Sequence, residues 1–227
     1  MNYKIEHYDD AIVLHPSTEA TASVIWLHGL GADGSDFVPL VQQLRLQTRQ
    51  VPLFIFPHAP VRPVTINNGM PMRAWYDLYS LTDRERQDEA GIRHSAQVVE
   101  NIIQQERTRG IPADRIILAG FSQGGAIALH TGLRHAERLG GILALSTYLP
   151  LAGTLATEAP AANRDLPILM CHGTEDAVIP LPYAQASRDA LVAAGYPLVW
   201  KQYPMQHQVC EEQLSDISDW FTARLTS

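Results

Sequence analysis

Cysteine is nearly missing from this chain: Cys171 and Cys210 are the only two among 227 residues. Two cysteines make no disulfide scaffold, and neither stands in the spacing of a metal site. A reducing, cytoplasmic setting is therefore expected, with no metal ion. Basic residues are also short, 17 Lys and Arg against 24 Asp and Glu, a net charge of −7. That balance argues against nucleic acid as a partner, because phosphate binding needs clustered positive charge. No apolar run approaches the roughly 20 residues of a membrane-spanning helix, so no integral membrane association is expected. The opening stretch Met1 to Asp10 is polar and mixed, unlike the basic-then-apolar pattern of an export signal. No P-loop spacing occurs, and no repeat or low-complexity tract interrupts the chain.

What is present is a regular alternation of strand-like and helix-like segments, with 46% of residues hydrophobic. Strands are expected at 11–14, 23–27, 53–56, 116–118, 141–145, 167–171 and 198–202. Helices are expected at about 36–46, 91–109, 126–130, 183–193 and 210–225. In the second of these, Ile92, Ala96, Val99 and Ile103 recur at steps of three and four and form one apolar face. Buried strands alternating with amphipathic helices predict a single α/β domain over residues 1–227, a mostly parallel central sheet flanked by helices on both faces. Such sheets carry their sites at the carboxyl ends of the strands. The two longer loops, 57–89 and 147–166, are candidates for substrate contact and too short for a cap domain.

The most informative segment is Gly120-Phe-Ser-Gln-Gly124, between a strand and a helix. A Gly-x-Ser-x-Gly turn holds its serine in a strained conformation with the hydroxyl exposed above the sheet. Such a hydroxyl needs a histidine base, itself oriented by a carboxylate. Where the pattern sits on an α/β sheet, the chain order is serine, acid, histidine. The acid should follow a strand end, which leaves Asp176, with Glu175 as the alternative, and only His207 then remains downstream. Ser122, Asp176 and His207 are the expected catalytic residues. The developing oxyanion needs donors. The backbone N–H of Gln123 is one candidate, and that of Leu30, in the glycine-rich loop His28-Gly-Leu-Gly-Ala-Asp-Gly34, is the other. Trp75, Tyr76, Leu78, Val178 and Ile179 are expected to line the acyl side of an open groove. Anchoring of their own loop is the alternative for Trp75 and Tyr76.

Five segments occur in an order that resembles one known family: the glycine-rich loop, Met72-Arg-Ala-Trp-Tyr-Asp77, Asp88-Glu-Ala-Gly-Ile92, Gly120-Phe-Ser-Gln-Gly-Gly125 and His172-Gly-x-x-Asp176. They are similar to the small carboxylesterase and acyl-protein thioesterase group of α/β-hydrolases, bacterial carboxylesterases above all. The resemblance implies an α/β-hydrolase fold, the Ser122–Asp176–His207 triad, an oxyanion hole from Leu30 and Gln123, and no cofactor. It implies hydrolysis of short acyl esters, lysophospholipids or thioesters by way of an acyl-enzyme. One position departs: the family usually carries glycine just before the histidine, where this chain has Gln206, so a shifted loop or narrowed pocket is expected. The substrate would be a small-molecule acyl ester. Pairing into a homodimer is left open by the sequence, as are a peptidase-like acyl hydrolase and a binding protein that merely keeps the fold.

Overall fold

The computed structural model describes residues 3–80 and 86–226. Eight strands form one twisted sheet, in the order β1-β2-β4-β3-β7-β8-β9-β10. From β4 to β10 all neighbours run parallel; β1 (Tyr3–His7) and β2 (Ala11–Pro16) join antiparallel at one edge. The parallel strands are β4 (Pro52–Pro57), β3 (Ala22–Leu27), β7 (Ile116–Phe121), β8 (Gly141–Leu145), β9 (Ile168–Gly173) and β10 (Leu198–Tyr203). β3, β4, β8 and β9 are buried along their whole length, which explains their unbroken apolar character.

Side chains alternate across the sheet, and β3 shows how. Val24 and Trp26 face one layer, with α1 (Val38–Gln43) and α6 (Glu211–Arg224), where Phe37, Val41, Ile217 and Phe221 complete the packing. Ile25 and Leu27 face the other, against α2 (Glu89–Thr108), α3 (Gln123–Arg134) and α5 (Leu181–Ala193). In α2 the inward row is Ile92, Ser95, Val99, Ile103 and Glu106; Ala96, expected on that face, is only half-buried. Asp88 caps this helix, its carboxylate accepting the Gly91 N–H at 3.0 Å.

Three segments differ from the sequence reading. Strand β1 was not anticipated, because Tyr-Lys-Ile-Glu-His is a charged edge strand with little apolar signal. The stretch 57–89 is not all loop: β5 (Val61–Val64) and β6 (Met70–Arg73) pair as a separate hairpin. Prolines at 63 and 71, paired with one another, hid it, since proline argues against a central strand. The loop at 147–166 likewise contains the short helix α4 (Leu155–Glu158).

Two histidines inside the packing make stability depend on pH. His28 and His130 are almost wholly buried, and burial pushes each down from 6.5 to about 4. As pH falls below 6.5 the unfolded chain takes up these protons while the folded one refuses them until about 4. Each group is thus expected to remove up to about 1.4 kcal/mol of stability per pH unit inside that window. Urea unfolding at pH 7 and pH 5 checks this, and His130→Leu should make the decline shallower.

Candidate active site

All the groups of interest gather at the carboxyl ends of β3, β7, β8, β9 and β10. Ser122 follows β7 and immediately precedes α3, with φ 53° and ψ −120°, a left-handed backbone that a side chain adopts only under strain. The turn is held by the Ser122 N–H donating to Leu145 O at 2.9 Å and the Thr147 hydroxyl donating to Ser122 O at 2.6 Å. Its glycines are there for space. A Cβ on Gly120 would meet the backbone of Gly124, and one on Gly124 would meet the carbonyl oxygens of Leu27 and His28. Helix and glycine-rich loop approach too closely for any side chain between them.

His207, in the loop after β10, reaches Ser122: its Nε2 lies 2.9 Å from the Ser122 Oγ. Its Nδ1 lies 2.7 Å from Asp176 Oδ2, and the ring leans on Phe121 with centroids 4.7 Å apart. Asp176 is buried, and its other oxygen accepts the N–H groups of Val178 (2.9 Å) and Ile179 (2.8 Å). Burial alone would raise its carboxyl, but the hydrogen bonds from His207 and Ile179 outweigh that and leave it below the usual value. An ionised Asp176 can only accept, so His207 carries its proton on Nδ1 and turns a bare Nε2 toward the serine. Glu175, the alternative acid, is exposed and takes no such place. His172, wholly buried, sits behind Asp176, donates to Ile179 O at 2.8 Å and is pushed down by burial, so it stays neutral there.

The glycine-rich loop lies directly beside Ser122: a Cβ on Gly29 would stand 3.5 Å from the Ser122 Cβ. His28 fixes this loop as a neutral ring. Its Nδ1–H donates to Gly29 O at 2.7 Å, and its Nε2 accepts the Ala59 N–H at 3.0 Å. Gly29 O and Leu30 N–H belong to one trans peptide and point opposite ways. Holding the carbonyl therefore aims the amide. Gln123 N–H, the first of α3, is one of the donors that a helix start leaves unpaired within itself.

Ser122 opens into a cavity of about 340 Å³. Leu30, Tyr76, Leu78, Gln123, Val178, Ile179 and His207 line it. Trp75 does not, and its expected place on the acyl wall is corrected. Its side chain is 1% exposed and turned inward, the indole N–H donating to His28 O at 2.9 Å. It anchors loops to one another and leaves the wall to Tyr76. Ile66, Asn67, Phe121 and Tyr148 also line the cavity and were not anticipated. Tyr148 had a legible signal, three residues past the end of β8 at the active rim; Ile66 and Asn67 did not, since they depend on the hairpin. Gln206 is exposed, lines no part of the cavity and has no positive φ, so the expected narrowing does not occur. The glycine this region needs is Gly173 on the adjacent strand, against the carbonyls of Met205 and Gln206.

Residues 8–225 match the model of the phospholipase/carboxylesterase family. Acyl-protein thioesterase 1 of Neurospora crassa is 42% identical over 214 residues, covering 90% of this chain and 87% of that protein. Acyl-protein thioesterase 1 of Yarrowia lipolytica is 40% identical over 205 residues, covering 88% and 90%. The crystal structure of Zea mays acyl-protein thioesterase 2 superposes with a TM-score of 0.85 at 32% identity, covering 96% of this chain and 100% of that one.

Proposed function

Since the chain belongs to the phospholipase/carboxylesterase family, we propose that it hydrolyses acyl esters and thioesters through an acyl-enzyme formed on Ser122. The observation that carries this reading is the continuous relay from Asp176 through His207 to Ser122, at 2.7 and 2.9 Å, opening into an apolar cavity. Ser122 Oγ attacks the acyl carbon as His207 Nε2 takes its proton. The resulting oxyanion is held by the Leu30 and Gln123 N–H groups, and Asp176 steadies the imidazolium. Collapse expels the alcohol or thiol, protonated by His207, and leaves the acyl group on Ser122. Water, deprotonated by the same nitrogen, then releases the acid and restores the serine.

The chain acts as one catalytic unit over residues 1–227. Tyr76, Leu78, Val178 and Ile179 take the acyl group. Unpaired cysteines at 171 and 210 favour a reducing cytoplasm. Pairing of two copies through exposed apolar loops is part of this proposal, and sedimentation velocity decides it. A fluorophosphonate probe should label the protein at Ser122, and a panel of matched butyrate ester, thioester and amide should show ester and thioester turnover with little amide cleavage. Amides demand a better-placed proton for a poorer leaving group. Absence of both labelling and turnover would return the chain to the binding-protein reading. Efficient amide cleavage would favour a peptidase.

A further inference from the structure

Apart from Val178 and Ile179 in the loop after β9, the acyl wall of the cavity is not built on the ends of the sheet strands. Ile66, Asn67, Tyr76 and Leu78 all line it, and all belong to the hairpin and the segment after it. Hydrogen bonds tie these pieces into a unit: the Ile66 N–H donates to Leu78 O at 2.9 Å, and the Thr65 N–H and hydroxyl donate to the Asp77 carboxylate at 2.8 and 2.6 Å. The question is what fixes that unit relative to the nucleophile.

The answer lies one residue after the serine. The Gln123 side chain is buried, its Oε1 accepting the Trp75 N–H at 2.7 Å and its Nε2 donating to Tyr76 O at 2.8 Å. One planar amide thus grips both sides of the wall's backbone. Only a group offering an acceptor and a donor two bonds apart fits, which glutamine does and ionised glutamate does not. Trp75 itself is braced by Ser95, Arg62 and His28, so the grip is firm on the far side too. We propose that Gln123 is a specificity-determining residue: its side chain sets the distance between Ser122 and the acyl wall, and hence the acyl lengths the enzyme prefers. This rests on the serine hydrolase reading above. Its backbone would serve the oxyanion while its side chain positions the chain being cleaved.

The test is the ratio of kcat/KM for p-nitrophenyl butyrate to that for the octanoate, measured from pH 5.5 to 8.5. In a ratio taken at one pH, any pH dependence that the two esters share cancels. Gln123→Glu should shift the ratio about fivefold or more at pH 8.5, where the carboxylate repels the Tyr76 carbonyl. It should return toward the wild-type ratio at low pH, where a protonated glutamate regains the donor. An unshifted ratio at pH 8.5, with both rates lowered alike, would overturn the proposal by reducing Gln123 to a purely structural or oxyanion role. Should Gln123→Glu fail to fold, Gln123→Met carries the same test without a buried charge. There a shifted ratio supports the proposal and an unshifted one overturns it. Failure of the wild type to cleave either ester would instead sink the hydrolase reading itself.

Discussion

Ser122→Ala is expected to lower kcat for p-nitrophenyl butyrate by about 10⁴- to 10⁶-fold while leaving the protein folded. Without the hydroxyl there is no acyl-enzyme, and His207 and Asp176 lose their object. The two amides beside the site still polarise a bound carbonyl, so a residual rate above that in water should survive. Folding should be spared because the Ser122 Oγ bonds to His207, while the turn itself is held by the backbone N–H and carbonyl of Ser122. Alanine also tolerates the left-handed backbone no worse than serine does. Steady-state kinetics with a thermal melt of the same sample decides the matter: a folded variant that keeps even a tenth of the activity would refute Ser122 as the nucleophile.

Gly124→Ala should be nearly as damaging, for a different reason. The added methyl would meet the carbonyl oxygens of Leu27 and His28. Neither is the end of a flexible side chain; both are backbone, at the end of β3 and the start of the loop that carries Leu30. The clash can be relieved only by moving that loop away from α3. A loss of about 2–4 kcal/mol of stability is expected from overpacking. In whatever fraction folds, a misaimed Leu30 amide should cost about 10²- to 10³-fold in kcat. Gly153→Ala is the matched control, since nothing lies within 4 Å of a Cβ there and its φ is unremarkable. Equal melting temperatures and rates for the two variants would mean that the close approach is not what glycine 124 is for.

These cases show which parts of the site could be read from the chain. The Ser122 turn was legible because its constraints are local: two glycines at fixed spacing, a strand before and a helix after. His207 and Asp176 were reachable by chain order, since few histidines lie downstream and strand ends narrow the choice of acid. The α/β alternation was legible because buried parallel strands are continuously apolar. The acyl wall was not. Whether Trp75 or Tyr76 faces the cavity depends on how the amide of Gln123, 47 residues away, grips the backbone between them. Aromatic character alone says only that both will be buried. The hairpin was obscured by its prolines, and with it Ile66 and Asn67. The glycine looked for at 206 is met instead by Gly173, because the close approach is between the end of β9 and the loop facing it and is not a property of one loop position.

The left-handed twist at Ser122 has one more implication. Tension in the backbone is concentrated at the residue proposed as the nucleophile, so gradual selection for a sturdier protein has no free move there. Glycine would relax the turn and abolish the enzyme in the same step. Any gain in robustness during evolution must come from elsewhere in the sheet and its two layers of helices, with this corner left taut.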